Sequence, residues 1–155
     1  MAECHTCELT ARRDKGKAPL WDNIFRTHYW DLVHSYNTSL PGWLVLVARR
    51  HIAAIDEMSA AEAAELGVLL QQVSASLKQV TGCQKTYVMQ FAEHPQHPHV
   101  HFHVVPRLNE QPETHRGPRV MKYLQVTEDE YVTEDVMNAL SEQIRQALLA
   151  LSINS

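Results

Sequence analysis

Apolar and polar positions along this chain change period from segment to segment, and each period predicts an element. From Thr27 to His34, the apolar Tyr29, Trp30, Leu32 and Val33 read as a strand. Asn37 to Gly42 (NTSLPG) is turn chemistry. The run WLVLVA, Trp43 to Ala48, has strand length and no polar member, which predicts a strand buried on both faces. Ser59 followed by Glu62 forms a capping box. A helix should start there, carry Leu66, Leu69, Leu70, Val73, Leu77 and Val80 on its apolar side, and stop at Gly82. Residues 85–91 (KTYVMQF) read as a strand with Tyr87, Met89 and Phe91 on one face. The prolines of AEHPQHP forbid regular structure next, and His99 to Arg107 then alternates strictly as a further strand. Residues 107–125 form a long polar connection that either moves or covers a site. Thr127 with Glu130 caps a short turn. Thr133 caps a last helix over 133–152 with Val136, Leu140, Ile144, Leu148 and Leu151. Residues 1–20 read as an irregular lead-in, polar from 8 to 20. Strands with long helices outside them, without strict alternation, predict an α+β domain with an antiparallel sheet, one domain over 1–155.

Composition narrows the class. A length of 155 residues suits one domain with a real core. No apolar run approaches the ~20 residues that span a bilayer, and the polar N-terminus has no signal-peptide core, so no membrane partner and a cytoplasmic location are expected. Fourteen basic against eighteen acidic residues give a net charge of -4, which argues against a nucleic-acid partner. A small anionic ligand in a local histidine-rich pocket stays open, because five of the ten histidines fall between His94 and His103. Three cysteines are a poor basis for a disulfide framework, and Cys83 reads as a packing residue.

The stretch HVHFHVVPR concentrates the chemistry. Alternate side chains of a strand share a face, so His99, His101 and His103 should stand together, ~7 Å between neighbours, with Val100, Phe102 and Val104 facing the core. Three readings compete: half-exposed histidines without a role, ligands of a catalytic metal with an open position, or nucleophilic catalysis on phosphorus. In the last, a neutral imidazole attacks and flanking histidines bind phosphate oxygens. Separately, Cys4 and Cys7 form a CxxC pair with metal-ligand spacing, or are two unconnected thiols in a tail. No strand precedes them, which disfavours a thioredoxin-like role.

HVHFHVVPR resembles the signature of the histidine triad (HIT) family, His-φ-His-φ-His-φ-φ with φ apolar. PGWLVLVARRH, Pro41 to His51, resembles that family's upstream Pro-Gly-His-φ-φ-φ-φ-Pro-Lys-Arg-His block. The resemblance spans Cys4 to Arg107. It implies a HIT-like fold: an antiparallel sheet of about five strands with a long central helix and a C-terminal helix. It also implies a hydrolase or nucleotidyltransferase acting on nucleoside phosphoramidates or dinucleoside polyphosphates. His101 would be the nucleophile toward the α-phosphorus, the backbone carbonyl of His99 would hold the proton on the other nitrogen of His101, and His103 would contact phosphate oxygens. One branch of the family holds structural zinc through residues matching Cys4, Cys7, His51 and His99. A homodimer and no organic cofactor are also implied.

The chain departs from the family pattern at several places. Ala48 replaces the block's second proline, and Trp43 replaces its histidine after Pro-Gly. Gln96 stands where many relatives have Ser or Thr, and Ser35 where many have a ribose-gripping aspartate. Gln90, Gln96 and Asn37 are the expected substrate-binding positions. His94 and His97 are expected to be solvated, and Arg116, Arg119 and Lys122 to face water. Two alternatives remain: a zinc-dependent hydrolase with the triad as ligands, and a non-catalytic nucleotide sensor.

Overall fold

The computed structural model describes residues 3–153; the outermost residues of the expected domain, 1, 2, 154 and 155, lie outside the described residues. Five antiparallel strands form one sheet: β1 (Phe25–Arg26), β2 (Trp30–His34), β3 (Leu44–Ala48), β4 (Lys85–Met89) and β5 (His101–Arg107), in the order β1-β2-β3-β5-β4. Three helices accompany them: α1 (His5–Asp14), α2 (Ala60–Thr81) and α3 (Glu134–Ile153). The α+β expectation holds, with a long helix between β3 and β4 and another at the C-terminal end.

Each sheet face has its own core. On one, Trp30, Leu32, Leu44, Leu46, Phe102 and Val104 pack with Leu66, Leu69, Val73 and Leu77 of α2 and Ile144 and Leu148 of α3. On the other, Val33, Trp43, Val45, Val47 and Val105 pack with Val120 and, less deeply, Tyr87, Met89, Met121 and Tyr123. β3 lies in the middle of the sheet between both layers, which explains its unbroken apolar sequence. The capping box forms as read: Ser59 accepts from the Glu62 amide, and Glu62 accepts from the Ser59 amide. Gly82, at φ 70°, closes α2 in the left-handed region.

Several elements differ from the sequence reading, and β2 begins at Trp30 rather than Thr27. The lead-in is not irregular, because His5–Asp14 is helical. The buried residues of this helix are Thr6, Thr10 and Arg13, so no apolar stripe announced it. Arg13, 1% exposed in its side chain, donates to Asp22 (2.9 Å) and Asp31 (2.8 Å), each also 1% exposed. Arg12 reaches Asp22 at 2.7 Å, and Arg26 grips Asp31 with two nitrogens at 2.6 and 2.9 Å. Charge pairing, not apolar burial, seats α1 on the sheet. β4 ends at Met89, leaving Gln90 beyond it and Phe91 exposed. The histidine strand begins at His101 rather than His99. The 107–125 connection folds into two 3-10 segments, Glu113–His115 and Gly117–Leu124, and the second drives Val120 into the second core. Among the described residues no helix is long and apolar enough to cross a membrane.

Candidate functional site

The second face of the sheet carries the histidines. Register pairs His101 with Val47 and His103 with Val45 on β3, and His103 with Met89 on β4. Both rings therefore share the face of Val45, Val47 and Met89. Their centroids lie 4.9 Å apart at 82°, closer than the extended spacing of the backbone suggests, because the rings lean edge to face.

Each imidazole has its nitrogens assigned by its partners. His101 Nδ1 lies 2.7 Å from the carbonyl oxygen of His99, so it carries the proton and leaves Nε2 bare. Burial holds the pKa of this ring below its usual value, against the raising effect of the same carbonyl. His103 Nδ1 accepts the indole N–H of Trp43 at 3.0 Å. Burial, then neighbouring His101, pushes His103 down to about 3. His99 sits just before β5, fully buried, and its Nε2 donates to the Ala48 carbonyl at 2.6 Å. Burial lowers its pKa too. Its Nδ1 then faces away from His101 and His103 toward α1.

There it meets the cysteines. Cys7 Sγ lies 3.2 Å from His51 Nδ1 and 3.5 Å from His99 Nδ1, Cys4 Sγ 3.8 Å from His99 Nδ1, and the two Nδ1 atoms are 3.2 Å apart. All four ligand atoms fall within 4.8 Å of one another. A tetrahedral zinc with ordinary bond lengths would set ~3.3 Å between two nitrogens and ~3.6 Å between sulfur and nitrogen. Burial and the adjacent Cys4 push the Cys7 thiol up to about 11. The donor set fits zinc: two sulfurs, plus an Nδ1 that the Ala48 bond keeps unprotonated on neutral His99.

The remaining expected positions scatter. Asn37 is half-buried after β2 and accepts the Ser35 hydroxyl at 2.9 Å. Gln90 is half-buried one residue past Met89, the partner of His103. Gln96 has an exposed side chain, while its carbonyl accepts the first amide of α1 from His5 at 2.9 Å. His94 is exposed, but His97 is not solvated: it bonds Thr6 Oγ1 at 2.8 Å and Tyr36 Oη at 3.1 Å, and burial lowers it to about 4. α1 covers it, and α1 itself was invisible to apolar periodicity. Arg119 and Lys122 are exposed, whereas Arg116 is half-buried and donates to the Gln111 carbonyl. Two residues that organise the site, Arg13 and Trp43, were not singled out as functional. Trp43 had a signal, since an indole stands where the block expects an imidazole.

Comparison with known proteins gives one consistent result. The HIT domain profile matches residues 22–110. A Zn-bound histidine triad family protein from Mycobacterium smegmatis superposes with TM-score 0.67 at 15% identity, covering 98% of this chain and 97% of that one. A hypothetical histidine triad nucleotide-binding protein from Sulfolobus tokodaii strain7 gives 0.70 at 13%, with 94% of each chain covered. A histidine triad protein from Sinorhizobium meliloti 1021 gives 0.65 at 22%, covering 80% and 87%. No curated protein sequence matches the chain significantly.

Proposed function

This chain belongs to the histidine triad (HIT) family, and on that footing we propose that it binds a small nucleotide and hydrolyses or transfers its nucleotidyl group through His101. The observation that carries this reading is the 2.7 Å bond from His101 Nδ1 to the His99 carbonyl, which leaves a bare Nε2 on a half-buried ring whose cationic form burial disfavours. The Nε2 lone pair attacks the α-phosphorus, and the bond from phosphorus to the leaving oxygen or nitrogen breaks with its electron pair on the leaving group. The ring becomes a nucleotidyl-imidazolium whose remaining N–H stays on the His99 carbonyl. Water, or another acceptor, then attacks phosphorus, loses its proton to solvent, and returns His101 to its neutral state. His103 donates its Nε2–H to a non-bridging oxygen. Nucleoside phosphoramidates and dinucleoside polyphosphates are the proposed substrates, with Asn37, Gln90 and Gln96 as substrate contacts.

Zinc would be held by Cys4, Cys7, His51 Nδ1 and His99 Nδ1. With four protein ligands such a metal is structural: it ties α1 to His99, whose carbonyl orients the nucleophile. This group leaves His101 and His103 outside it, which favours histidine over metal chemistry at phosphorus. The same reading takes residues 1–155 as one cytoplasmic domain. It pairs as a homodimer along edge strand β4, which exposes Val88, with Phe91 exposed just beyond it.

The test is incubation with an adenosine phosphoramidate and a diadenosine polyphosphate, followed by mass spectrometry for a nucleotidyl adduct. The adduct is expected on His101, and His101→Asn should lose both adduct and turnover. Wild-type turnover in His101→Asn refutes the mechanism. Tight nucleotide binding by a wild-type protein that never turns over identifies a sensor.

A further inference from the structure

We propose that Trp43 is a positioning residue that fixes His103 as a one-way hydrogen-bond donor: its indole N–H occupies Nδ1, so the ring keeps its proton on Nε2. The consequence for phosphate rests on the function proposed above; the protonation pattern does not.

An indole nitrogen donates and never accepts. The 3.0 Å contact between Trp43 Nε1 and His103 Nδ1 is therefore satisfied only when Nδ1 is bare. A tautomer with Nδ1–H, or the imidazolium, sets two donors against each other at a partly buried contact and loses the bond between them. Nor can the indole swing away. Trp43 is fully buried in the second core among Val33, Val45, Val105 and Val120. Its backbone is held as well, its amide donating to Leu40 at 3.3 Å and its carbonyl accepting from Ser35 at 2.9 Å. The two rings meet edge to face, centroids 5.6 Å apart at 84°.

The neighbour on β5 is held the opposite way. A carbonyl puts the proton of His101 on Nδ1, and an indole puts that of His103 on Nε2. Two rings whose centroids lie 4.9 Å apart thus offer one lone pair and one N–H from their far nitrogens. If both had bare far nitrogens they would repel phosphate oxygens. If both were protonated there, no nucleophile would remain. Trp43 also removes His103 from proton transfer, since the ring can neither accept at Nδ1 nor become cationic without losing this bond. A histidine at position 43 could donate, accept or carry charge; Trp43 can only donate.

The experiment is two-bond proton–nitrogen correlation NMR on the full-length, zinc-supplemented protein carrying nitrogen-15 histidine, with His103 assigned by its loss in His103→Asn. In wild type His103 is expected as the pure Nε2–H tautomer between about pH 5 and pH 8, the range where an ordinary imidazole titrates. In Trp43→Phe the two nitrogen shifts of His103 should converge as the tautomers mix. The kcat for a nucleoside phosphoramidate should then fall on the order of tenfold or more with KM little changed, approaching the 100-fold or greater loss typical of a deleted oxyanion donor. A wild-type His103 that is mixed or protonated at Nδ1 overturns the proposal, even if Trp43→Phe does not fold. So does a folded Trp43→Phe with unchanged shifts. A fixed Nε2–H in a protein that forms no nucleotidyl adduct would refute the catalytic reading while leaving the Trp43 assignment in place.

Discussion

Replacing His34 by asparagine should flatten the acid limb of the stability curve. His34 is buried at the end of β2, with Nδ1 donating to the Ser35 carbonyl at 2.7 Å and Nε2 accepting the Gly42 amide at 2.9 Å. A second proton on this ring would face the Gly42 N–H and break the contact that holds the turn before β3. Burial accordingly lowers its pKa from 6.5 to about 4, against the smaller raising effect of Ser35. Because the folded value is depressed, the unfolded chain takes up the proton first as pH falls. The stabilisation is whole above 6.5 and is lost as pH drops toward 4. At about 1.4 kcal/mol per pKa unit, the loss is about 3 kcal/mol from this ring alone. Urea unfolding followed by tryptophan fluorescence at neutral pH and near pH 4 measures it. His34→Asn carries a constant penalty at both pH values, while the acid-linked loss should shrink by about 3 kcal/mol. The other depressed histidines, His97 and His103 among them, contribute equally to both proteins and cancel. Equal acid losses in wild type and His34→Asn would refute the reasoning, as would an NMR titration of His34 near 6.5.

Arg13→Met leaves Asp22 and Asp31 without their buried partner and should cost about 3–5 kcal/mol in urea unfolding; a loss below about 1 kcal/mol would mean that α1 is seated by something else. Ser59→Ala should cost about 1 kcal/mol by the same measurement. Arg50, the largest cause of the depressed Glu62 carboxyl near 2, should when changed to Ala raise the Glu62 pKa more than Ser59→Ala does, read by carboxyl-carbon NMR. Chelation should lower the melting temperature, with zinc at a hundredfold excess over its Kd restoring about 3 kcal/mol. Cys7→Ser should abolish that zinc response, and a chelator-insensitive wild type would contradict the metal assignment.

Elements whose burial is apolar were readable one by one. α2 followed its capping box and leucine spacing to Gly82, and β3 was visible as a strand with no polar side. α1 was not, because what it buries is an arginine and two threonines, and an arginine is read as solvated until Asp22 and Asp31 are brought to it from elsewhere in the chain. The cover over His97 was illegible for the same reason, since the helix that bonds it through Thr6 has no apolar period. The 107–125 connection gave no period because its buried anchors are Val120 and the polar Gln111, too few and too mixed to make an apolar stripe.

By itself the sequence determined which residue types could do chemistry and that His101 and His103 share one face of a strand: spacing and side-chain chemistry are local, and alternation along a strand is a property of the backbone. Only the tertiary structure decided which nitrogen of each imidazole is free. That choice depends on what lies a few ångströms away, and the partners come from far along the chain or from a neighbouring backbone: Ala48 for His99, the His99 carbonyl for His101, Trp43 for His103. Three chemically identical rings take three different hydrogen-bonding arrangements because folding sets a different acceptor or donor against each.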